Sequence, residues 1–193
     1  MPTFEIEERY YEKYSAIAGL DEAGRGPLAG PVVAAAVVLS RGLIIEGVND
    51  SKKLTEKKRE ILCEVIKEKS TAWAVGVVNA EEIDEYNIRN AAFLAMSRAL
   101  DGVNADFALI DGNAIKYIEI PYECVIKGDS KSYSIAAASI IAKVTRDKIM
   151  EGYDKLYPEY GFVKHKGYPT KEHYAAIAEY GVLPIHRKSF RLY

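Results

Sequence analysis

Ile17-Ala18-Gly19-Leu20-Asp21-Glu22-Ala23-Gly24-Arg25-Gly26-Pro27-Leu28-Ala29-Gly30-Pro31 runs directly into the apolar stretch Val32 to Leu39. Two short apolar runs bounded by Gly and Pro predict two strands joined by a bend. Two adjacent carboxylates, Asp21 and Glu22, stand where the first strand should end. A strand that ends in acids and turns through glycines points to chemistry more than to packing. The bend is not a Walker loop, because no Gly-Lys-Ser/Thr follows. Nor is it the dinucleotide fingerprint: Gly30 comes one residue late, and a Val-rich strand follows where a helix is required. What remains is exposed backbone beside Arg25, which can hold a phosphate. The plain alternative is a tight turn closed by a surface arginine.

Outward from this stretch, the pattern predicts a short helix or arm over residues 4–14. Gly42 to Ile45 reads as a possible next strand, and Asn49-Asp50-Ser51-Lys52-Lys53 as a loop. Thr55 caps a helix with Ile61, Leu62, Val65 and Ile66 on one face. Ala72 to Val78 is a strand; Ala80–Glu85 and Asn90–Leu100 are helices. Phe107-Ala108-Leu109-Ile110 is a buried-type strand ending in Asp111-Gly112. Glu123 to Ile126 is another, followed by Lys127-Gly128-Asp129-Ser130. Residues 132–148 read as an internal helix, apolar nearly all round and close-packed through its alanines. The tail has one amphipathic helix near Lys171–Tyr180. Strands first, then strands mixed with helices, imply an α/β fold: an antiparallel opening meander with parallel additions.

About half of the 193 residues are hydrophobic, enough for one domain (1–150) and a C-terminal extension (151–193) packed on it. No apolar segment approaches the ~20 residues that span a bilayer, and Met1 to Tyr14 lacks a signal-peptide pattern. The expectation is a soluble, cytoplasmic monomer. Cys63 and Cys124 read as free thiols. Net charge is only -2, but residues from Lys127 onward carry 12 Lys/Arg against 7 Asp/Glu. A basic part beside an acid-bearing centre could hold a phosphate backbone against a metal site.

Asp21, Glu22, Asp111 and Asp129 fall at or just after the ends of three apolar segments, where ligands gather in such sheets. Singly, each reads as a turn former, a cap or an ion-pair partner. Together they would repel unless a cation lay among them. Hard oxygen donors select Mg²⁺ or Mn²⁺.

At these residues the chain resembles the ribonuclease HII family. The blocks that carry the likeness are Asp21 to Val32, Asp50-Ser51-Lys52-Lys53-Leu54, Asn87-Ile88, Ile110-Asp111-Gly112-Asn113, Lys127-Gly128-Asp129, Ser139 to Asp147 and Gly167-Tyr168-Pro169-Thr170, in family order. The resemblance implies a ribonuclease H-like mixed central sheet flanked by helices, with a C-terminal helical extension. It implies an endonuclease that cuts the RNA strand of RNA–DNA hybrids. It further implies cutting 5′ to single ribonucleotides embedded in duplex DNA, leaving 5′-phosphate and 3′-hydroxyl ends, in ribonucleotide and RNA-primer removal. Asp21, Glu22, Asp111 and Asp129 would be the catalytic, metal-binding acids for two Mn²⁺ or Mg²⁺ ions. Gly24, Arg25 and Gly26 would contact the ribonucleotide, Tyr168 would stack on the next sugar, and Lys53 and Ser130 would touch phosphate. A sliding clamp is a conceivable partner; a membrane is not expected. Lys143, Arg146 and Lys148 are either the wet face of the long helix, or Lys143 tunes the acids. His165 is expected on backbone or solvent rather than metal.

Three rivals stand beside this reading. The type 3 relative carries an extra N-terminal domain, for which a motif beginning by residue 21 leaves no room. Other metal-dependent nucleases of the same fold share the acids but not the Gly-Arg-Gly loop. A non-catalytic nucleic-acid binding module would not place four acids beside a polyanion.

Overall fold

β1 (Ile17–Ala23) is the middle strand of a five-stranded sheet, in a computed structural model that describes residues 1–193. The order is β3-β2-β1-β4-β5, with β2 (Val32–Val38), β3 (Ala72–Val78), β4 (Phe107–Asp111) and β5 (Tyr122–Val125). β1, β2 and β3 form an antiparallel meander, while β4 and β5 join β1 in parallel. This is the mixed α/β sheet expected from the sequence. β2 is buried along its whole length, so it reads as a continuous apolar run rather than an alternating one.

Helices cover both faces. α3 (Ala80–Asp101) packs its Ala91, Ala95 and Ala99 against Ala18, Leu20 and Ala36. α4 (Tyr133–Leu156) covers the other face, with α2 (Glu56–Lys69) beside it. Gly19 explains how closely α4 lies on the sheet. A Cβ on Gly19 would sit 2.2 Å from the Ser134 carbonyl carbon and 2.4 Å from the Ile135 nitrogen. Backbone therefore lies on backbone, and the alanines of α4 complete the approach. Side chains alternate along a strand, so Asp21, two residues on, faces the side that α4 covers.

α1 (Glu5–Glu8) supports the start of α4. Glu7 is fully buried, and its Oε1 accepts from Ser132 Oγ, Ser134 N and Ser134 Oγ at 2.7–2.9 Å. A carboxylate at a helix N-terminus satisfies orphan donors and favours the macrodipole. After α4 come the four-residue α5 (Phe162–His165) and α6 (Lys171–Tyr180). The last residues then return to the loop after β1: Gly30 N donates to Ile185 O, and Arg187 N to Leu28 O. Leu28, Met150, Phe162 and Ile177 form a small separate core there. Leu192 packs back while Tyr193 stays exposed. No helix is long and apolar enough to cross a membrane.

Several expectations change. β1 does not end before the acids; Asp21, Glu22 and Ala23 are inside it, paired with Ala35, Ala34 and Val33. Gly42 to Ile45 is not a strand. The edge of β2 is taken by β3, and both backbone groups of Ile45 bond the Tyr133 hydroxyl, at 2.8 and 2.7 Å. α4 runs eight residues past its expected end at Lys148. The two predicted helices over residues 80–100 are present, broken at Asn87 (φ 64°, ψ 158°), whose Oδ1 accepts from the Arg89 and Asn90 amides. Asn87 is thus the cap of the second helix. Both cysteines are free.

Candidate active site

Parallel pairing of β1 and β4 matches Leu20 with Ile110, so Asp21 and Asp111 are the next pair in register, on adjacent strands. Asp129 arrives from the short 3₁₀ turn Gly128–Ser130 that follows β5. That turn is tied to the pair directly, because Gly128 N donates to Asp111 Oδ1 at 2.6 Å. Glu22, one residue along β1, points to the α3 side. It lines a shallow cleft with Asp111, Arg89, Phe93 and Asn113. The structure thus brings all four predicted acids to one end of the sheet.

Their electrostatics are those of crowded anions. Burial pushes the Asp21 carboxyl well above the usual carboxylate range, and the charges of Glu22 and Asp111 push it further. The Glu22 amide, 2.7 Å from Asp21 Oδ1, opposes this. Burial also raises Glu22, against the pull of Arg25 at 3.3 Å. Burial raises Asp111, against the Gly128 bond. Such a site favours either protons or a cation. No three of the acids converge into a ready-made cation cage. A cation nevertheless already stands at the cluster: Lys52 Nζ lies 3.2 Å from Asp129 Oδ2. All-oxygen donors with excess negative charge fit Mg²⁺ or Mn²⁺ and do not fit the softer metals.

The glycine loop lies beside this cluster. Gly24 has φ +97°, a conformation open to glycine. A Cβ on Gly26 would lie 3.4 Å from Tyr168 Cε1, so the Tyr168 ring stands over Gly26. Leu28 N donates to Gly167 O, joining the two loops. Tyr168 is 42% exposed, so its ring is available to a ligand. Arg25 is also exposed and reaches only Glu22. Ser130 Oγ is turned to Lys127 O at 2.9 Å. Lys53 Nζ is 4.0 Å from Asp50 Oδ2 and exposed.

The structure also uses residues that the pattern passed over or placed differently. Lys52 rather than Lys53 touches the acids, and adjacent lysines in a short 3₁₀ turn carry no sequence signal to tell them apart. Arg146 is not on the wet face of α4: it is buried, donating to Ala29, Pro31 and Lys166 carbonyls at 3.0–3.2 Å. Arg187 is buried as well, under the glycine loop. Lys143 bonds Asp147 on its own helix at 2.7 Å, and Arg59 lies 4.0 Å from the same carboxylate. The histidines hold the Tyr168 loop. His165 Nε2 bonds Tyr160 O, and His173 links the Tyr168 carbonyl to His186.

The family model described as Ribonuclease HII matches residues 18–193. A protein named Ribonuclease HII from Clostridioides difficile is 60% identical over 185 residues, covering 95% of this chain and 72% of that one. The ribonuclease H2 structure from Pyrococcus horikoshii superposes with TM-score 0.75 at 30% identity, covering 92% of this chain and 94% of the other. The ribonuclease HII in a complex with PCNA from Archaeoglobus fulgidus gives TM-score 0.75 at 27% identity, covering 92% and 96%. With the family model spanning all but the first 17 residues, and the acids and glycine loop meeting at one end of the sheet, this chain belongs to the ribonuclease HII family.

Proposed function

We propose that Asp21, Glu22, Asp111 and Asp129 are the catalytic acids of a ribonuclease H endonuclease, and that the Gly24–Gly26 backbone with Tyr168 reads the ribonucleotide. The activity class follows from the family. The substrate range we assign is RNA–DNA hybrids and single ribonucleotides in duplex DNA. One observation carries the reading furthest: the Tyr168 ring stands over Gly26, within five residues of the acids of β1.

The four carboxylates would hold Mn²⁺ or Mg²⁺, two ions with substrate in place. Bound there, the ions supply an activated water and stabilise both oxygens of an in-line displacement. The chain itself does the selecting. No bond within the chain takes the amide N–H of Gly24, Arg25 or Gly26, or the carbonyl of Gly26. A 2′-hydroxyl is both donor and acceptor, so free amides and a free carbonyl can bind it without reading the base. Tyr168 supplies a flat face for the neighbouring sugar. Arg25, Lys53 and the Ser130 hydroxyl are the phosphate contacts, and Lys52, 3.2 Å from Asp129 Oδ2, offsets the charge of that carboxylate. A clamp partner rests on the Archaeoglobus fulgidus complex alone.

The test is analysis of product ends from a duplex with one ribonucleotide. A cut 5′ to it, leaving a 5′-phosphate and a 3′-hydroxyl, is expected. A 2′,3′-cyclic phosphate would show that the 2′-hydroxyl is the nucleophile and overturn the reading.

A further inference from the structure

Arg187 is fully buried, and each of its three guanidinium nitrogens donates to one loop. Nη2 donates to Gly24 O at 2.6 Å, Nη1 to Arg25 O at 3.0 Å and Nε to Gly30 O at 3.0 Å. Neither Arg187 nor its buried neighbour Arg146 makes an ion pair. A buried charge without a carboxylate is tolerable only while its hydrogen bonds are met. The carbonyls of Gly24 and Arg25 are therefore fixed pointing inward.

A trans peptide is planar, with its C=O and N–H on opposite sides. The Gly24 carbonyl shares its peptide plane with the Arg25 amide, and the Arg25 carbonyl shares its plane with the Gly26 amide. Fixing those two oxygens toward Arg187 turns the two N–H groups away from it. Both amides lack a partner within the chain, and Tyr168 stands over Gly26 on the open side. Arg146 reinforces the arrangement. Its Nε would lie 2.1 Å from a Cβ on Gly24, and it bonds the Ala29 and Pro31 carbonyls further along.

We propose that Arg187 is a positioning residue for sugar discrimination: by binding the Gly24 and Arg25 carbonyls, it aims the Arg25 and Gly26 amides at the 2′-hydroxyl. This rests on the reading of the Gly24–Gly26 backbone as the ribose contact. It assigns to the C-terminal tail, which supplies Arg187, a share in choosing the substrate. Lysine has the charge but gathers its donors on one nitrogen rather than in a planar fork, so it cannot meet the Gly24, Arg25 and Gly30 carbonyls in the directions that three separate nitrogens do.

The experiment has two arms. In the first, hydrogen exchange of the wild-type protein is followed by NMR in EDTA, with no duplex, an all-DNA duplex, or the same duplex carrying one ribonucleotide. Arg187 Nε–H should exchange slowly throughout. The Arg25 and Gly26 amides should exchange freely at first and become protected only by the ribonucleotide duplex. In the second, Arg187→Lys is compared with wild type for binding to the two duplexes. All-DNA affinity should stay within about 2-fold, while the preference for the ribonucleotide duplex should fall about 10-fold or more. A merely structural role would reduce the active fraction and scale both affinities alike. Fast exchange at Arg187 Nε–H, or an unchanged preference in Arg187→Lys, overturns the role of Arg187. Failure of the ribonucleotide to protect either amide overturns instead the ribose reading on which it rests. If Arg187→Lys does not fold, the wild-type arm decides alone.

Discussion

Asp21 is a carboxylate held where its ionised form is disfavoured, by burial and by Glu22 and Asp111. Such strain belongs to a binding site rather than a stability device. Replacing Asp21 by Asn removes the repulsion and the buried charge, so the metal-free protein should become more stable at neutral pH, with a higher thermal midpoint. A carboxyl with a raised folded value binds its proton more tightly in the folded state. Its stabilising effect is full below the ordinary value of 3.8 and is lost as pH rises through the raised one. The gain from Asp21→Asn should therefore vanish near pH 4, as measured by thermal midpoints across pH. The histidines give the opposite sign. Leu183 N–H donates to His186 Nδ1 at 2.9 Å, which leaves the proton on Nε2 for His173, and His173 Nδ1–H for the Tyr168 carbonyl. Burial, then the neighbouring His173, pushes His186 down to about 4 from 6.5. Its stabilising effect is present above pH 6.5 and lost as pH falls through about 4, at most about 3 kcal/mol. Denaturant titrations from pH 7 to 4 should show this slope in wild type and a flatter one in His186→Gln; equal slopes would sink the assignment. At this scale the grouping was legible in Asp21, Glu22 and Asp111, which directly follow apolar runs where a charge is costly, and less so in Asp129, which stands in a polar turn beyond its run. Arg187 was not legible, because His186-Arg187-Lys188 reads as an ordinary basic surface until the fold buries it. Tyr168→Ala should slow cutting at a single ribonucleotide more than it weakens duplex binding; equal losses would remove its junction role.

Among the elements, β1 and α4 together position the site. Gly19 lets the strand lie on the first turn of the helix, and the same strand carries Asp21 two residues later. Gly19→Ala should force the two backbones apart, costing about 2–3 kcal/mol or more and lowering metal-dependent activity together with stability. A midpoint unchanged in chemical denaturation would contradict that contact. Most elements were legible from period and punctuation, down to α6 at Lys171–Tyr180. Gly42 to Ile45 misled because a short apolar run can satisfy its backbone by other means, here the Tyr133 hydroxyl. The ends of β1 and α4 were misplaced for a related reason. Partner strands and the C-terminal tail continue to support them where local pattern had stopped, since tertiary contacts override propensity.

For the whole molecule, the charge division matters more than the net charge of -2. The acids collect at one end of the sheet, while the chain after Lys127 carries the positive excess that can follow a phosphate backbone. Duplex affinity should therefore fall linearly in log–log form with salt, by at least about 10-fold between 50 and 200 mM. Lys53→Ala should reduce that slope by about 1 without changing the preference for a ribonucleotide. A slope unchanged by the substitution would remove Lys53 from the phosphate contacts. The fold class was legible at this scale from the order of strands and helices. The route of the tail back onto the glycine loop was not, because it depends on backbone bonds such as Gly30 to Ile185 that leave no residue pattern. The most direct measurement of the central claim is cleavage of a duplex with one ribonucleotide, in Mg²⁺, Mn²⁺ or EDTA, by wild type and by Asp21→Asn, with each protein's thermal midpoint recorded. Cutting in either ion, none in EDTA, and none by a well-folded Asp21→Asn is the predicted result. Cleavage that survives EDTA, or survives the loss of the Asp21 carboxylate, would contradict it.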